Sequence, residues 1–193
     1  MPRKLVVKMS VSLDGFVGRN DGDVEWIFPS IDEELQEWMV DLLGQAGAHL
    51  MGRVTYGDMA AHWPGSDEPY AAPMNEIPKI VFSRTLTEAT WPTTTVLSGD
   101  LTGEITRLKA EDGDDLLAHG GAGFVRALIG RGLVDEYRLV IHPVALGSGL
   151  ALFTAPTELT LVSSEPFPGG AMAVTYAPAT GPAAAANESD ERV

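Results

Sequence analysis

The sequence predicts an α/β protein with a mixed, mainly parallel sheet, flanking helices, and antiparallel strands in its last third. Between residues 5 and 130, apolar runs typical of buried strands alternate with amphipathic stretches typical of helices. Three strand-like stretches then follow one another between residues 134 and 176. The chain of 193 residues is long enough to bury one core. We therefore predict a single domain over residues 1–177.

The first strand and the first helix have the clearest patterns. Residues 5–13 are rich in β-branched and apolar side chains, which predicts a central strand. Ser30 and Glu33 form a capping-box pattern. Apolar residues then recur at helical spacing over residues 31–46, and Gly47 is the expected C-terminal stop. This segment is the strongest amphipathic helix in the chain.

The remaining elements follow from shorter patterns. Further strands are predicted over residues 48–51, 79–83, 94–97, 116–119, 134–144, 158–164 and 171–176. Helices are predicted over residues 53–61, 101–110 and 124–129, and the Pro- and Gly-rich stretch 64–78 is a predicted loop. Residues 178–193 are rich in Ala, Pro and acidic residues without an apolar face, so we predict a disordered tail.

Charge and composition exclude several classes of function. Thirteen basic and 27 acidic residues give a net charge of −14, which disfavours nucleic acid and anionic membranes as partners. The chain has no cysteine, which excludes disulfides and thiolate chemistry. Its four histidines lack metal-ligand spacing, so no metal site is predicted. The first apolar run ends at Lys8, too early for a signal peptide, and no run approaches the roughly 20 apolar residues of a membrane span. We expect a soluble, cytoplasmic protein.

A glycine cluster is the most informative local feature. Gly120, Gly121, Ala122 and Gly123 separate a predicted strand from a predicted helix. The first N–H groups of a helix lack partners, its dipole favours negative charge, and glycines let a phosphate approach the backbone. The cluster does not match the GxGxxG pattern. It therefore predicts either an anion site or a tight turn without a ligand.

Two further strand ends carry donors suited to phosphate. Gly52, Arg53, Val54 and Thr55 join another strand to a helix, and Ser83-Arg84 follow the strand predicted at residues 79–83. Hydroxyl, guanidinium and free N–H groups all bind phosphate oxygens. Ligands of open α/β sheets bind at the carboxyl ends of strands. Together the three strand ends predict a site for NADPH, whose extra phosphate would use all three.

Six segments together resemble the dihydrofolate reductase family. They are SVSLDGFVG (10–18), MGRVTY (51–56), VFSR (81–84), LAHGGAG (117–123), VDEY (134–137) and HPVALGSG (142–149). The likeness is closer to the reductase domain of the bifunctional riboflavin-biosynthesis deaminase/reductase and to its small stand-alone relatives. It extends over residues 5–176 and implies a dihydrofolate reductase-like sheet. It also implies a homodimer that pairs through the C-terminal strands.

The resemblance assigns roles to the matching cofactor residues. Gly52, Arg53, Val54 and Thr55 would hold NADPH phosphates, and Arg53, Ser83 and Arg84 would lie near the 2′-phosphate. Gly120, Gly121, Ala122 and Gly123 would hold the pyrophosphate. Val17 and Gly18 would border the nicotinamide.

The resemblance is weaker on the substrate side. Ser12, Asp14 and the loop around Trp26 would frame the substrate. The family has one carboxylate in the helix that faces the substrate, whereas three acids occur at residues 32–34 here. Asp32 is the candidate proton donor because its distance from Trp26 is close to the family's. The alternative is that these acids only favour a helix N-terminus.

The predicted function is that of an NADPH-dependent reductase. Hydride would pass to a C=N or C=O of a small pteridine- or pyrimidine-like heterocycle, with a proton from water or Asp32. Dihydrofolate reductase and the riboflavin-pathway pyrimidine reductase are the nearest enzymatic alternatives. An alternative of another class is a non-catalytic NADPH-binding protein that retains only the phosphate site.

Overall fold

The computed structural model describes residues 2–179, and one sheet organises them. Within this range the sheet has eight strands, ordered β4-β3-β2-β5-β1-β6-β8-β7. Their bounds are β1 Leu5–Ser12, β2 Ala48–Gly52, β3 Lys79–Phe82, β4 Thr94–Leu97, β5 Leu116–Ala118, β6 Glu136–His142, β7 Leu159–Pro166 and β8 Met172–Pro178. The pairs from β4 to β6 are parallel, and β8 and β7 join antiparallel. The predicted fold class is confirmed.

Helices cover both faces of the sheet. They are α1 Glu33–Gly44, α2 Arg53–His62, α3 Ala71–Glu76, α4 Leu101–Ala110 and α5 Ala122–Ile129, with 3-10 turns at Glu25–Ser30 and Trp63–Gly65. On one face Leu5 and Val7 of β1 pack in a cluster that includes α4 and α5. On the other face Val6 packs in a cluster that includes α1, α2 and α3. The alternation along β1 therefore separates two cores.

The first helix begins later and ends earlier than the sequence predicts. Asp32 is its N-cap, with its carboxylate accepting a hydrogen bond from the Leu35 N–H at 2.8 Å. The predicted capping box was wrong, since Ser30 belongs to the preceding 3-10 turn and its hydroxyl bonds the Ile27 carbonyl. The helix ends at Gly44, so Gly47 is not its stop. A Cβ at Gly47 would lie 2.4 Å from the Asp114 carbonyl oxygen, and this close approach requires glycine there.

The predicted loop at residues 64–78 contains α3, which the sequence analysis missed. Its C-terminal carbonyls are bound from the sheet: Lys79 Nζ donates to Met74 at 3.2 Å and to Asn75 at 2.7 Å, and His49 Nε2 lies 3.2 Å from the Pro73 carbonyl. A six-residue helix is marginal alone. Long-range contacts with β2 and β3 therefore stabilise it.

Two further predictions concern the C-terminal segment and the absence of a membrane-spanning helix. The tail predicted over residues 178–193 begins too early, since Pro178 ends β8 and the Ala179 N–H donates to the Glu158 carbonyl; residues 180–193 lie outside the described residues. Across residues 2–179, every helix is too short or too polar to cross a membrane.

Candidate functional site

Two helix N-termini meet at the carboxyl edge of the sheet. β2 leads into α2 and β5 leads towards α5, and these two strands are parallel neighbours. The N-cap residues are Gly52 and Gly121, and neither has a side-chain cap. By contrast, α1 and α4 begin at Asp32 and Asp100, whose carboxylates cap them. The N-termini of α2 and α5 are therefore open to an external anion.

One hydrogen bond joins these two N-termini. The Gly121 N–H donates to Thr55 Oγ1 at 2.6 Å, linking the glycine cluster to the first turn of α2. A Cβ at Gly121 would lie 3.1 Å from that oxygen, and one at Gly52 would lie 3.3 Å from Phe124 Cβ. Two of the three strand ends predicted from the sequence therefore form one surface, and glycine keeps it closely packed.

The third strand end opens into its own cavity of about 240 Å³. The cavity is lined by Phe82, Ser83, Arg84, Leu97, Ser98, Gly99, Asp100, Leu101, Phe124 and Arg131. Phe82 and Phe124 stack with ring centroids 5.3 Å apart. Because Phe124 also contacts the Gly52 position, this cavity adjoins the paired helix N-termini.

Arginines supply the positive charge around these donors. Arg53 and Arg84 are exposed and form no ion pair with any residue between 2 and 179. Arg131 also lines the cavity and was missed, because it follows a helix rather than a strand. Val54 is 67% exposed beside Arg53. The Ser83 hydroxyl accepts from the backbone N–H groups of residues 85 and 86, so it also shapes its own turn.

The loop after β1 contains Val17 and Gly18. The Val17 N–H donates to the Leu150 carbonyl and the Leu150 N–H donates to the Gly18 carbonyl, each at 2.8 Å. The Val17 side chain is buried in the main core. Gly149 has φ +158°, and a Cβ there would lie 2.3 Å from the Gly18 carbonyl oxygen. The two loops are thus closely fitted, and contact with a nicotinamide stays a prediction.

Hydrogen bonds of Ser12 and Asp14 connect the loop after β1 to the loop that contains Leu146 and Gly147. The Ser12 hydroxyl donates to Asp14 Oδ1 at 2.7 Å, and the Asp14 carboxylate accepts from the N–H groups of Leu146 and Gly147. The Ser12 hydroxyl and these N–H groups lower the pKa of Asp14 to about 2. Both residues thus have partners in the protein, and their substrate-binding role stays a prediction.

Trp26 packs against a buried histidine. Its ring meets that of His142 edge-on, with centroids 5.6 Å apart, and its Nε1 is buried without a hydrogen-bond partner in the described chain. His142 Nδ1 lies 2.7 Å from the Ser30 hydroxyl. Burial, reinforced by repulsion from Lys8, lowers the pKa of His142 to about 4. The imidazole is therefore neutral near pH 7.

Asp32 has structural contacts at both carboxylate oxygens. Oδ1 accepts from the Leu35 N–H at 2.8 Å, and Oδ2 accepts from the Gly169 N–H. Both oxygens are therefore engaged by backbone N–H groups of the protein. These contacts favour the helix N-terminal role, and catalysis by Asp32 stays a prediction.

A larger apolar cavity lies beneath α1, α2 and α3. Its volume is about 470 Å³, and its lining is Lys8, Ser10, Ile27, Phe28, Ile31, Met39, Leu43, Met59, His62, Trp63, Glu68, Tyr70, Met74 and His119. Lys8 and Ser10 come from β1, and His119 directly precedes Gly120 of the glycine cluster. The cavity therefore begins one residue from the proposed phosphate site. Flat apolar walls over a polar floor suit a small heterocycle.

The sequence analysis missed the residues on this cavity floor. Lys8, Ser10 and Ser12 alternate with the apolar residues of β1, and this alternation was an available signal for a polar site on one face. Burial lowers the pKa of Lys8 to about 8. Lys8 forms no ion pair in residues 2–179, so its ammonium group is available to a ligand.

No group of three or more metal-ligating side chains occurs in the described part of the chain. The site is thus built from backbone N–H groups, arginines and an apolar cavity. This combination suits an organic ligand that carries phosphates.

Known proteins share this architecture. The chain is 24% identical to a putative riboflavin biosynthesis protein from Shewanella sp. PV-4, with a TM-score of 0.74 over 93% of this chain and 99% of that one. It is 18% identical to a diaminohydroxyphosphoribosylaminopyrimidine deaminase/5-amino-6-(5-phosphoribosylamino)uracil reductase from Thermotoga maritima. There the TM-score is 0.66, over 92% of this chain and 57% of that protein. These likenesses show the fold.

Sequence relatives cover the whole domain. The chain is 30% identical over 182 residues to the uncharacterized protein YyaP of Bacillus subtilis (strain 168), covering 90% of this chain and 94% of that one. It is 28% identical over 179 residues to YwjB of the same organism, covering 91% and 98%. A model of the RibD C-terminal domain family matches residues 3–173. The chain is therefore a RibD-like reductase domain and belongs to the RibD C-terminal domain family.

Proposed function

We propose that the protein is an NADPH-dependent reductase acting on a C=N or C=O of a small pteridine- or pyrimidine-like heterocycle. The observation that carries the proposal is the meeting of two uncapped helix N-termini, α2 and α5, beside the cavity that holds Arg84. In a chain of net charge −14, arginines that form no ion pair within residues 2–179, next to helix N-termini without side-chain caps, favour a bound polyanion.

The residues present fit NADPH. The first N–H groups of α2 and α5, with the helix dipoles, would hold the pyrophosphate, and the Thr55 hydroxyl, which accepts from the Gly121 N–H, would donate its own proton to it. Arg84 and Arg131 would hold the 2′-phosphate as paired guanidinium donors. When bound, NADPH supplies the hydride.

The protein's own contribution is to position the substrate and exclude water. The apolar walls of the large cavity would hold a flat ring next to the glycine cluster, and Lys8 would polarise a carbonyl oxygen by donating to it. Water is the proposed proton source, since both oxygens of Asp32 accept backbone hydrogen bonds. The uracil derivative in the name of the Thermotoga maritima protein supports a pyrimidine-like substrate.

One observation favours the non-catalytic alternative. Asp32 is occupied by two N–H groups and does not line the cavity, and Glu68, the carboxylate in the described lining, lies against His62. If the reaction required an acid of the protein rather than water, this chain would bind NADPH without turning over. The two functions therefore share a cofactor and differ in chemistry.

Titration distinguishes them. NADPH fluorescence on addition of protein should show saturable binding, with weaker binding of NADH. Absence of saturable binding for both NADPH and NADH would contradict the proposal. NADPH oxidation is then measured with dihydrofolate and a panel of carbonyl and iminium heterocycles. Binding with oxidation at background throughout would favour the non-catalytic protein.

We also propose a homodimer formed along the sheet edge. β7 ends the sheet, and Leu161 and Val162 on it are 54% and 61% exposed. An exposed apolar edge strand favours pairing with another chain. Light scattering after size exclusion should give twice the chain mass, and a monomer at micromolar concentration would contradict the proposal.

A further inference from the structure

A pair of buried histidines connects α3 to the floor of the large cavity. His119 is 4% exposed, and its Nε2 lies 2.8 Å from His49 Nδ1. His49 is fully buried, and its Nε2 lies 3.2 Å from the Pro73 carbonyl oxygen. The chain of contacts thus runs from a helix carbonyl through two imidazoles to the cavity.

The contacts determine which nitrogens carry protons. The Pro73 carbonyl can only accept, so His49 Nε2 carries a proton. A neutral His49 then has an unprotonated Nδ1, which accepts from His119 Nε2. A neutral His119 has its proton on Nε2 and a free lone pair on Nδ1. This assignment holds as long as both rings are neutral.

The surroundings keep both rings neutral. Burial lowers the pKa of His49 to about 4, against the raising effect of the Pro73 carbonyl. Burial also lowers the pKa of His119 well below its ordinary value. The titratable neighbours packed around the pair are Lys8 on β1 and Lys79 on β3, and both disfavour a positive imidazole.

The free nitrogen of His119 lies beside a donor. Val7 pairs with Ala118 in the parallel ladder between β1 and β5, so Lys8 and His119 are the next residues along each strand. Both line the cavity. His119 Nδ1 has no hydrogen-bond partner in residues 2–179, and the atom is accessible to solvent. The floor therefore presents a nitrogen acceptor next to an ammonium donor.

We propose that His119 is a specificity-determining residue that accepts a hydrogen bond from a ring N–H of the substrate, and that His49 positions it. With Lys8 donating to an adjacent carbonyl, the floor recognises a lactam edge, an N–H beside a C=O. The inference rests on the proposed function, because it takes this cavity as the substrate site. It narrows the substrate to heterocycles that carry an unsubstituted ring N–H.

The protonation pattern is measured without any ligand. ¹⁵N-detected histidine NMR near pH 7 should show His49 and His119 with the proton on Nε2. His142, whose Nδ1 lies 2.7 Å from the Ser30 hydroxyl, gives a third buried histidine signal for comparison. Signals are assigned with single His→Gln variants. A proton on Nδ1 of His119, or a doubly protonated ring, would overturn the inference.

A second experiment compares the affinities of two matched probes for the NADPH-loaded protein. Pterin has a ring N–H beside a carbonyl, and its N3-methyl derivative lacks that proton. We expect pterin to bind about tenfold more tightly, as loss of a buried hydrogen bond implies. His119→Phe should reduce the ratio to less than about twofold. Arg107→Ala, on α4 and outside the cavity lining, should keep the wild-type ratio.

The outcomes separate the two proposals. Equal affinities for both probes, or binding of neither to wild-type protein, would overturn the role of His119. NADPH binding is recorded in every sample, and its failure in the wild type would overturn the reductase proposal instead. The wild-type comparison does not depend on any variant, so an unstable His119→Phe would leave the inference testable.

Discussion

Replacement of Arg84 by alanine tests the cofactor site most directly. The Arg84 side chain lines the cavity of about 240 Å³ beside Arg131, and it forms no ion pair in the described chain. Its substitution therefore leaves no carboxylate unpaired. The expected consequence is confined to the 2′-phosphate, which distinguishes NADPH from NADH.

The magnitude follows from the exposure of this arginine. A hydrogen bond to a charged group contributes about 1.5–3 kcal/mol. Because each 1.36 kcal/mol is a factor of ten, this range is roughly 12- to 160-fold in affinity. Arg84 is exposed, and solvent screens exposed charge pairs. We therefore expect NADPH to bind about tenfold more weakly and NADH to change by less than about twofold.

Fluorescence titration with both cofactors, at low and high salt, measures the effect. The loss should shrink at high salt, because counterions screen the contact. Arg107→Ala is the matched control, since Arg107 on α4 carries the same charge and is held by Glu104 of that helix and by Glu111 just after it. Equal losses for NADPH and NADH would refute the 2′-phosphate assignment. An equal loss of NADPH affinity in Arg107→Ala would show that the effect of Arg84→Ala comes from net charge alone.

Further predictions concern the buried titratable groups and one glycine. Burial lowers the pKa of His49 and His142 from 6.5 to about 4, so the unfolded chain binds protons that the folded chain does not. The free energy of unfolding should therefore fall from pH 6.5 towards pH 4, by about 3 kcal/mol per histidine, and urea unfolding that shows no such fall would contradict it. Lys8 should titrate near pH 8 by NMR of ¹³C-methylated protein, with Lys8→Met removing the signal; a pKa near 10.5 would show that the amine is solvated. Gly149→Ala should lower both Tm and NADPH affinity, because its Cβ meets a backbone oxygen of the loop after β1, whereas Gly57→Ala has open space and should do neither.

The fold was predictable because its signals are local in sequence, and equally local signals led to the residues of the proposed cofactor site. A strand end is followed directly by a glycine and a donor at Gly52-Arg53, and by two donors at Ser83-Arg84. The parallel topology then brings consecutive strand ends to one edge. The hydrogen bond between Thr55 and Gly121 depends on β2 and β5 being neighbours, which no local pattern reveals.

The substrate half was less predictable because distant segments build it. Lys8, Tyr70 and His119 share a cavity only after β1, β5 and α3 have assembled. α3 itself has weak local signals, and one contact that stabilises it, between His49 Nε2 and the Pro73 carbonyl, joins residues 24 positions apart in sequence. Asp32 shows that a local sequence pattern can also be ambiguous about function. An acid near a helix start has the same sequence pattern whether it caps or catalyses.

The buried polar row across the sheet connects stability to specificity. Lys79 and His49 would be costly in an apolar core without partners, and the carbonyls of α3 satisfy them. The same contact fixes the proton on His49, and through it the lone pair that His119 presents to the cavity. α3 also contributes Met74 to the cavity wall. A substitution at Lys79 that loosened α3 would therefore move Met74 in the cavity wall. It would also remove the contact that fixes the proton on His49 and, through it, the protonation of His119. The short helix α3 thus supports both the wall and the floor of the proposed substrate site.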